Sequence, residues 1–94
     1  MIIGYLGIEI HLPYSHSLKE KRKRLKSYKD KLKAKFNVSF AEIDYQNKWQ
    51  RVKIGMVIIN NKQSIIEKIF NQIIAEAEQS IEGEIIYKET DFFK

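Results

Sequence analysis

Cysteine is absent from this chain, which removes disulfides, thiolate zinc sites and thiol nucleophiles together. Histidine is nearly as scarce. His11 and His16 are the only imidazoles, and no metal-ligand spacing accompanies them. No apolar run is long enough to span a bilayer, so no membrane association is expected. Residues 1–12 alternate too regularly for a signal peptide, and the expected location is cytoplasmic. Repeats, linkers and low-complexity segments are also missing, which leaves one domain over residues 1–94. A core is nonetheless available, because 44% of the residues are hydrophobic and sixteen are isoleucine.

What the chain does have is concentrated charge. Residues 18–36 hold ten Lys or Arg against Glu20 and Asp30, a net of +8. The remaining residues hold seven basic and ten acidic side chains, so the whole overall charge of +5 resides in this stretch. Its start has the form of a capping box. Ser17 precedes Glu20 by three, so the serine oxygen accepts from the Glu20 amide and the glutamate reaches back to the serine amide. Leu18, Leu25, Tyr28, Leu32 and Phe36 then recur at helical spacing, predicting a helix to about Lys35.

Around this helix the chain reads in order. Residues 2–12 alternate, with Ile2, Gly4, Leu6, Ile8, Ile10 and Leu12 on one face, and Pro13 ends the strand. Asn37 is expected to terminate the basic helix in a left-handed conformation. Val38 to about Asp44 is a second strand whose mixed parity suggests a bulge. Residues 45–48 form a hairpin loop, and residues 50–59 a third strand with Val52, Ile54, Met56 and Ile58 inward. Ser64 with Glu67 reads as a second capping box, with Asn61 as the alternative cap. The apolar stripe that follows ends at Gly83, Glu84 to about Thr90 is a fourth strand, and residues 91–94 are a tail.

The order strand, helix, strand, strand, helix, strand gives an α+β class: a ferredoxin-like βαββαβ sandwich. Right-handed crossovers place both helices on one face of a four-stranded antiparallel sheet of order 4-1-3-2. This topology brings His11, Tyr14, His16, Ser17, Lys21 and Arg22 toward Asp44, Gln46, Trp49, Gln50 and Arg51.

Ser17 to Arg22, Phe36-Asn37-Val38-Ser39, Ala41-Glu42, Asp44, Gln46, Trp49-Gln50-Arg51 and Ile54-Gly55 occur together. In this combination the chain resembles the YlxP-like family, small bacterial proteins classed as a domain of unknown function. The resemblance covers nearly the whole chain. It implies a ferredoxin-like fold and a genomic neighbourhood with translation initiation factor 2 and ribosome-binding factor A. It supplies no catalytic residues.

The basic helix is the leading functional candidate. Like charges fill the i,i+4 pairs Lys19/Lys23, Arg22/Lys26, Lys29/Lys33 and Lys31/Lys35, where a merely solvated helix would interleave glutamates. A polyanion partner, RNA or the ribosome, is the favoured reading, with Lys19, Arg22, Lys23, Arg24, Lys26 and Lys33 as the contacts. An inert solvated face and an acidic protein surface are the alternatives. Lys21 and Arg22 lie near the apolar stripe, where pairing with Asp44 or Glu42 is expected ahead of anion binding. Trp49 beside Arg51 serves as a lid over the core edge or as a stacking platform, the lid taking precedence. Ile3, Tyr5, Val57 and Ile59 give the open sheet face an apolar strip, for which a homodimer is the simplest partner. With only Tyr5 outward on strands one and three, RNA stacking on the sheet is disfavoured.

Catalysis is not expected, and no cofactor is implied. Acylphosphatase is the obvious enzyme on this topology, but its glycine- and arginine-bearing loop after strand one is missing from Leu12-Pro13-Tyr14-Ser15-His16. A self-associating module that binds an acidic partner in the translation machinery remains the second functional reading.

Overall fold

The computed structural model describes residues 1–94. Its elements are β1 (Ile2–His11), α1 (Leu18–Lys35), β2 (Ser39–Asp44), β3 (Arg51–Asn60), α2 (Gln63–Ser80) and β4 (Glu84–Phe93). The strands form one antiparallel sheet of order β2-β3-β1-β4, the ferredoxin-like arrangement. Period-two alternation decides which faces are buried. Leu6, Ile8, Ile10 and Leu12 join Val52, Ile54, Met56 and Ile58 beneath both helices. Leu25, Tyr28 and Leu32 of α1 and Ile66, Phe70, Ile73 and Ala77 of α2 complete the same cluster.

Two aromatic contacts lock the helices over the sheet. Tyr28 meets Phe40 edge-on at 6.1 Å between centroids, and its hydroxyl donates to the Ile73 carbonyl at 2.9 Å. Burial, helped by the nearby Glu76 carboxylate, pushes the Tyr28 phenol well above its ordinary ionisation range, so it stays a donor. Gly4 is where α2 lies closest to β1. A Cβ there would collide with Ile66 Cγ2, itself completely buried.

Several local expectations change. The strand-two ambiguity resolves with Phe40 and Glu42 opposite Met56 and Ile54, on the helix side. The pairing shifts between Glu42 and Asp44, which is the bulge. Asn37 is not left-handed; Tyr45 is the only non-glycine residue with positive φ, at 63°. The helix instead ends on an extended Phe36 whose amide still bonds Leu32, and the chain turns directly so that Val38 enters the core. Neither Ser64 nor Asn61 caps α2, which begins at Gln63 after Lys62 with no side-chain cap. Asn60 Oδ1 accepts from the Lys62 amide, so the turn is set before the helix starts.

The expected tail also becomes strand. Residues 91–93 continue β4 opposite Tyr5, Gly4 and Ile3, giving the long central β1 a partner along most of its length. Phe92 turns toward the core against Phe70, at 6.2 Å between centroids. Gly83 does follow α2, but not through positive φ. It is needed because a Cβ would lie 2.7 Å from the His11 carbonyl oxygen. No helix is long and apolar enough to cross a membrane.

Candidate nucleic-acid interface

The helix begins as its residues dictate. Ser17 Oγ accepts from the Glu20 amide at 3.1 Å. The return arm differs from a reciprocal box: Glu20 Oε2 accepts from the His16 amide, at 3.0 Å, rather than from Ser17. That bond, more than the neighbouring Arg24, holds the Glu20 carboxyl below the usual carboxylate range.

At 100° per residue the ten cations of α1 cannot share one surface. The structure divides them into three groups. On the flank facing α2, Arg24 lies 3.2 Å from Glu20 and 3.6 Å from Glu82. Lys35 pairs with Glu76 at 3.1 Å, and Lys31 donates to Ser80 Oγ at 3.3 Å. Ser80 and Lys35 together hold the Glu76 carboxyl low. Arg24, one of the expected contacts, thus has its guanidinium paired within the fold, on the flank facing α2.

Lys21 forms the second group alone. It is only 1% exposed. Its ammonium donates to the carbonyls of Tyr45 at 2.7 Å and Lys48 at 2.8 Å. Glu42 Oε1 lies 2.9 Å away as its counter-ion. This is the structural pairing expected near the stripe, with Glu42 rather than Asp44. Asp44 instead accepts from the Tyr45 amide. Arg22, one residue on, points to solvent without a carboxylate partner.

The third group is an outer strip that covers α1 from the edge next to β2 round to Lys23 on the solvent-facing back, where Lys23 shares a groove with Arg24 and Ser80. Lys19, Arg22, Lys23, Lys29 and Lys33 have no carboxylate within ion-pair distance. Lys26 lies among them, 77% exposed and paired only with the equally local Asp30 at 2.8 Å. Lys29 was not among the expected contacts. Its i+3 and i+4 relation to Lys26 and Lys33 was the available signal. Arg22, Lys26 and Lys29 also line a groove of about 240 Å³ between α1 and β2, floored by Leu25, Phe40 and Ala41.

At the end of the sheet, the loop after β2 is fastened from two sides. Lys21 holds its carbonyls, while Gln50 Nε2 donates to Pro13 and Ser15 and the Gln50 carbonyl accepts from Leu12. The predicted meeting of the two loops is thus made by Lys21 and Gln50. Trp49 is not a lid over the core. It is 52% exposed and lies outside the buried cluster. Arg51 borders the same cleft but stacks elsewhere: the guanidinium sits 4.2 Å above the Tyr45 ring and 2.9 Å from Glu9.

The open sheet face is most apolar at one end, with exposed Ile43 lying over Gly55 nearer its middle. Ile3, Val57, Ile59 and the outward Phe93 gather at that end, with Ile59 at 61% exposure. Tyr5 lies flat across Gly7 and Gly55, and a Cβ at Gly7 would meet its hydroxyl at 2.5 Å. The other end is charged, with Glu9–Arg51 and Lys53–Glu89 pairs, and Tyr87 donates to Glu89. Strand four thus adds Tyr87 and Phe93 to an aromatic inventory that alternation on strands one and three could not supply.

The fold and this surface define a ferredoxin-like sandwich whose helical layer carries a one-sided cationic strip. The chain belongs to the family described as "Protein of unknown function (DUF503)", which matches residues 3–90. It is 34% identical over 92 residues to "Uncharacterized protein YlxP" of Bacillus subtilis (strain 168), covering 98% of this chain and all of that one. Among solved structures it is similar to the structural-genomics protein YJCS, with TM-score 0.62, 11% identity and coverage of 95% and 96% of the two chains. It is similar too to the de novo designed protein Foldit4, with TM-score 0.58, 15% identity and coverage of 98% and 97%. At these identities the structural likeness concerns the fold alone.

Proposed function

We propose that the protein is a non-catalytic RNA- or ribosome-associated module that binds phosphate backbone along α1. One observation carries this reading: the outer strip keeps its charge while the flank facing α2 has its charge neutralised. Of the acids near α1, only Asp30 meets the strip, at Lys26, whereas Glu20, Glu76 and Glu82 serve the flank facing α2. Like-charged neighbours at i,i+4 cost each pair about 0.2–0.5 kcal/mol, so an uncompensated row weakens the helix unless an anion covers it. From Lys19 to Lys33 the strip runs about 21 Å at 1.5 Å per residue.

The reading makes a salt-dependence prediction. With roughly 4–6 phosphates covered, log K for single-stranded RNA should fall against log[salt] with a slope of about −3 to −4. Fluorescence anisotropy of a labelled oligonucleotide across a salt series measures it. Affinity that does not change with salt removes the phosphate reading.

A second reading, a self-associating interaction module for an acidic partner, is favoured by the exposed Val57, Ile59 and Phe93 at one end of the sheet. On that reading Val57→Glu converts a dimer to a monomer in sedimentation, because an unpaired carboxylate in a dry contact is unfavourable. A wild-type protein that is monomeric at high micromolar concentration discards it.

A further inference from the structure

The loop that carries Trp49 combines two properties that are seldom found together. Its backbone is held rigidly from below: Lys21 binds the Tyr45 and Lys48 carbonyls, and Gln50 binds across to Pro13 and Ser15. Tyr45 takes the left-handed conformation that turns the chain. Yet the one large apolar side chain on the loop points away from the core and stays half exposed. An exposed tryptophan on a mobile loop is unremarked surface. One on a fastened loop is an anchor, because the entropy of ordering it was lost on folding and is not lost again on binding.

Trp49 also borders a cleft of about 430 Å³, with His11, Asn47, Lys48, Gln50 and Arg51 as the other walls. The site is shallow and open to solvent, with room for a stacked ring rather than for an enclosed ligand. The walls are unusual in having one aromatic plane and otherwise hydrogen-bonding groups. The Gln50 amide nitrogen is committed to Pro13 and Ser15, which orients its oxygen as a fixed acceptor. Arg51 is committed to Glu9 and Tyr45, so its charge is already balanced. Asn47 and Lys48 make no side-chain hydrogen bond within the protein. A flat ring with donors and acceptors around its edge fits these walls better than an aliphatic chain or a bare anion would.

The geometry points to a nucleobase site in this cleft, with Trp49 as the stacking plane and Asn47, Lys48 and Gln50 at the base edge. The inference rests on the reading of α1 as a phosphate surface and names what that surface lacks. Cations alone hold any strand in any register; a stacked base fixes the strand at one point. The loop is fastened to the first turns of α1 through Lys21, so the cleft and the start of the cationic strip share one end of the molecule. The sheet face is not required. A single base is taken at the loop while its neighbours' phosphates follow the helix.

Trp49 is the only tryptophan, so its emission reports on this cleft and nothing else. The test titrates the full chain with a short oligoadenylate and, separately, with adenosine monophosphate. Tryptophan emission and oligonucleotide anisotropy are followed together. Stacking quenches the emission with both ligands. Trp49→Ala weakens oligonucleotide binding about 5- to 100-fold, the range of one lost base stack. It leaves the salt slope and the thermal midpoint unchanged, because no phosphate contact and no core contact is removed. Trp49→Phe, which keeps a smaller plane, restores part of the affinity.

Oligonucleotide binding with unchanged emission and full affinity in Trp49→Ala overturns the base site while leaving the helix reading intact. Quenching by the monophosphate in a protein whose oligonucleotide affinity ignores salt does the reverse: the base site stands and the phosphate strip falls. Absence of both quenching and binding overturns the two together.

Discussion

Replacing Lys21 with methionine is expected to lower stability by about 3 kcal/mol, or roughly 10–25 °C in thermal midpoint for a domain of this size. The ammonium is nearly fully enclosed; it satisfies the Lys48 carbonyl and shares the Tyr45 carbonyl with the Lys48 amide. Hydrogen bonds from a charged donor to buried acceptors contribute about 1.5–3 kcal/mol each, and methionine fills the space without supplying either. Glu42 is the counter-ion, and although a quarter of its side chain reaches water, the oxygen facing Lys21 is enclosed. Glu42→Gln, which removes the charge but keeps an acceptor for the ammonium, should cost less than the lysine change. Hydrogen exchange at residues 45–50 should accelerate in Lys21→Met before the sheet is affected. Denaturant unfolding measures the first effect, and a loss under 0.5 kcal/mol would show that the loop is held by Gln50 alone.

The second large effect concerns binding. Charge reversal at Lys19, Lys23 and Lys33 should weaken affinity for single-stranded RNA roughly 100-fold at low salt, through three lost phosphate contacts and the new repulsion. These three are chosen because none has an intramolecular partner, so their reversal breaks no ion pair. A matched control reverses Lys62, Lys68 and Lys94, which are exposed on other parts of the surface. Net charge changes equally in both variants. Binding to unrelated sequences should fall alike in the strip variant and hold within a few-fold in the control.

The contrast between Lys21 and its neighbours shows what linear order conveys. Alternation on β1 and β3 placed every core residue of those strands correctly, because period two leaves no choice of face once one side is apolar. The helical stripe and the Ser17 cap were equally legible. Within Lys19 to Lys26, however, adjacent cations go to three destinations, and two of those depend on residues far along the chain. Lys35 pairs with Glu76 and Lys31 bonds Ser80 on α2, and Arg24 meets Glu82 just beyond it, contacts that exist only after the second half of the chain packs on α1. Lys21 finds loop carbonyls, which no side-chain pattern announces.

β4 was legible from its start at Glu84, but its end was read three residues short for a related reason. Glu84, Lys88, Glu89 and Asp91 interrupt its apolar residues, and the shift opposite Glu9 and Ile10 changes its parity midway. A strand that is half charged and bulged has no clean period of two. Its length is set by β1, the neighbour it pairs with, rather than by its own sequence. Trp49 misled in the opposite sense. Its size favours burial, but the hairpin is fastened by Lys21 and Gln50 and has no need of an aromatic lid.

The central claim, that the outer strip of α1 engages phosphate backbone, is tested most directly by one quantity: the change in salt slope when the strip is reversed. Anisotropy of a labelled single-stranded RNA is measured across a salt series for the wild type, the Lys19, Lys23 and Lys33 variant, and the control. The account predicts a wild-type slope of about −3 to −4, made shallower by about 2 in the strip variant and unchanged in the control. Equal slopes in all three proteins would contradict it, as would equal losses in the strip and control variants, which assign binding to net charge rather than to this helix.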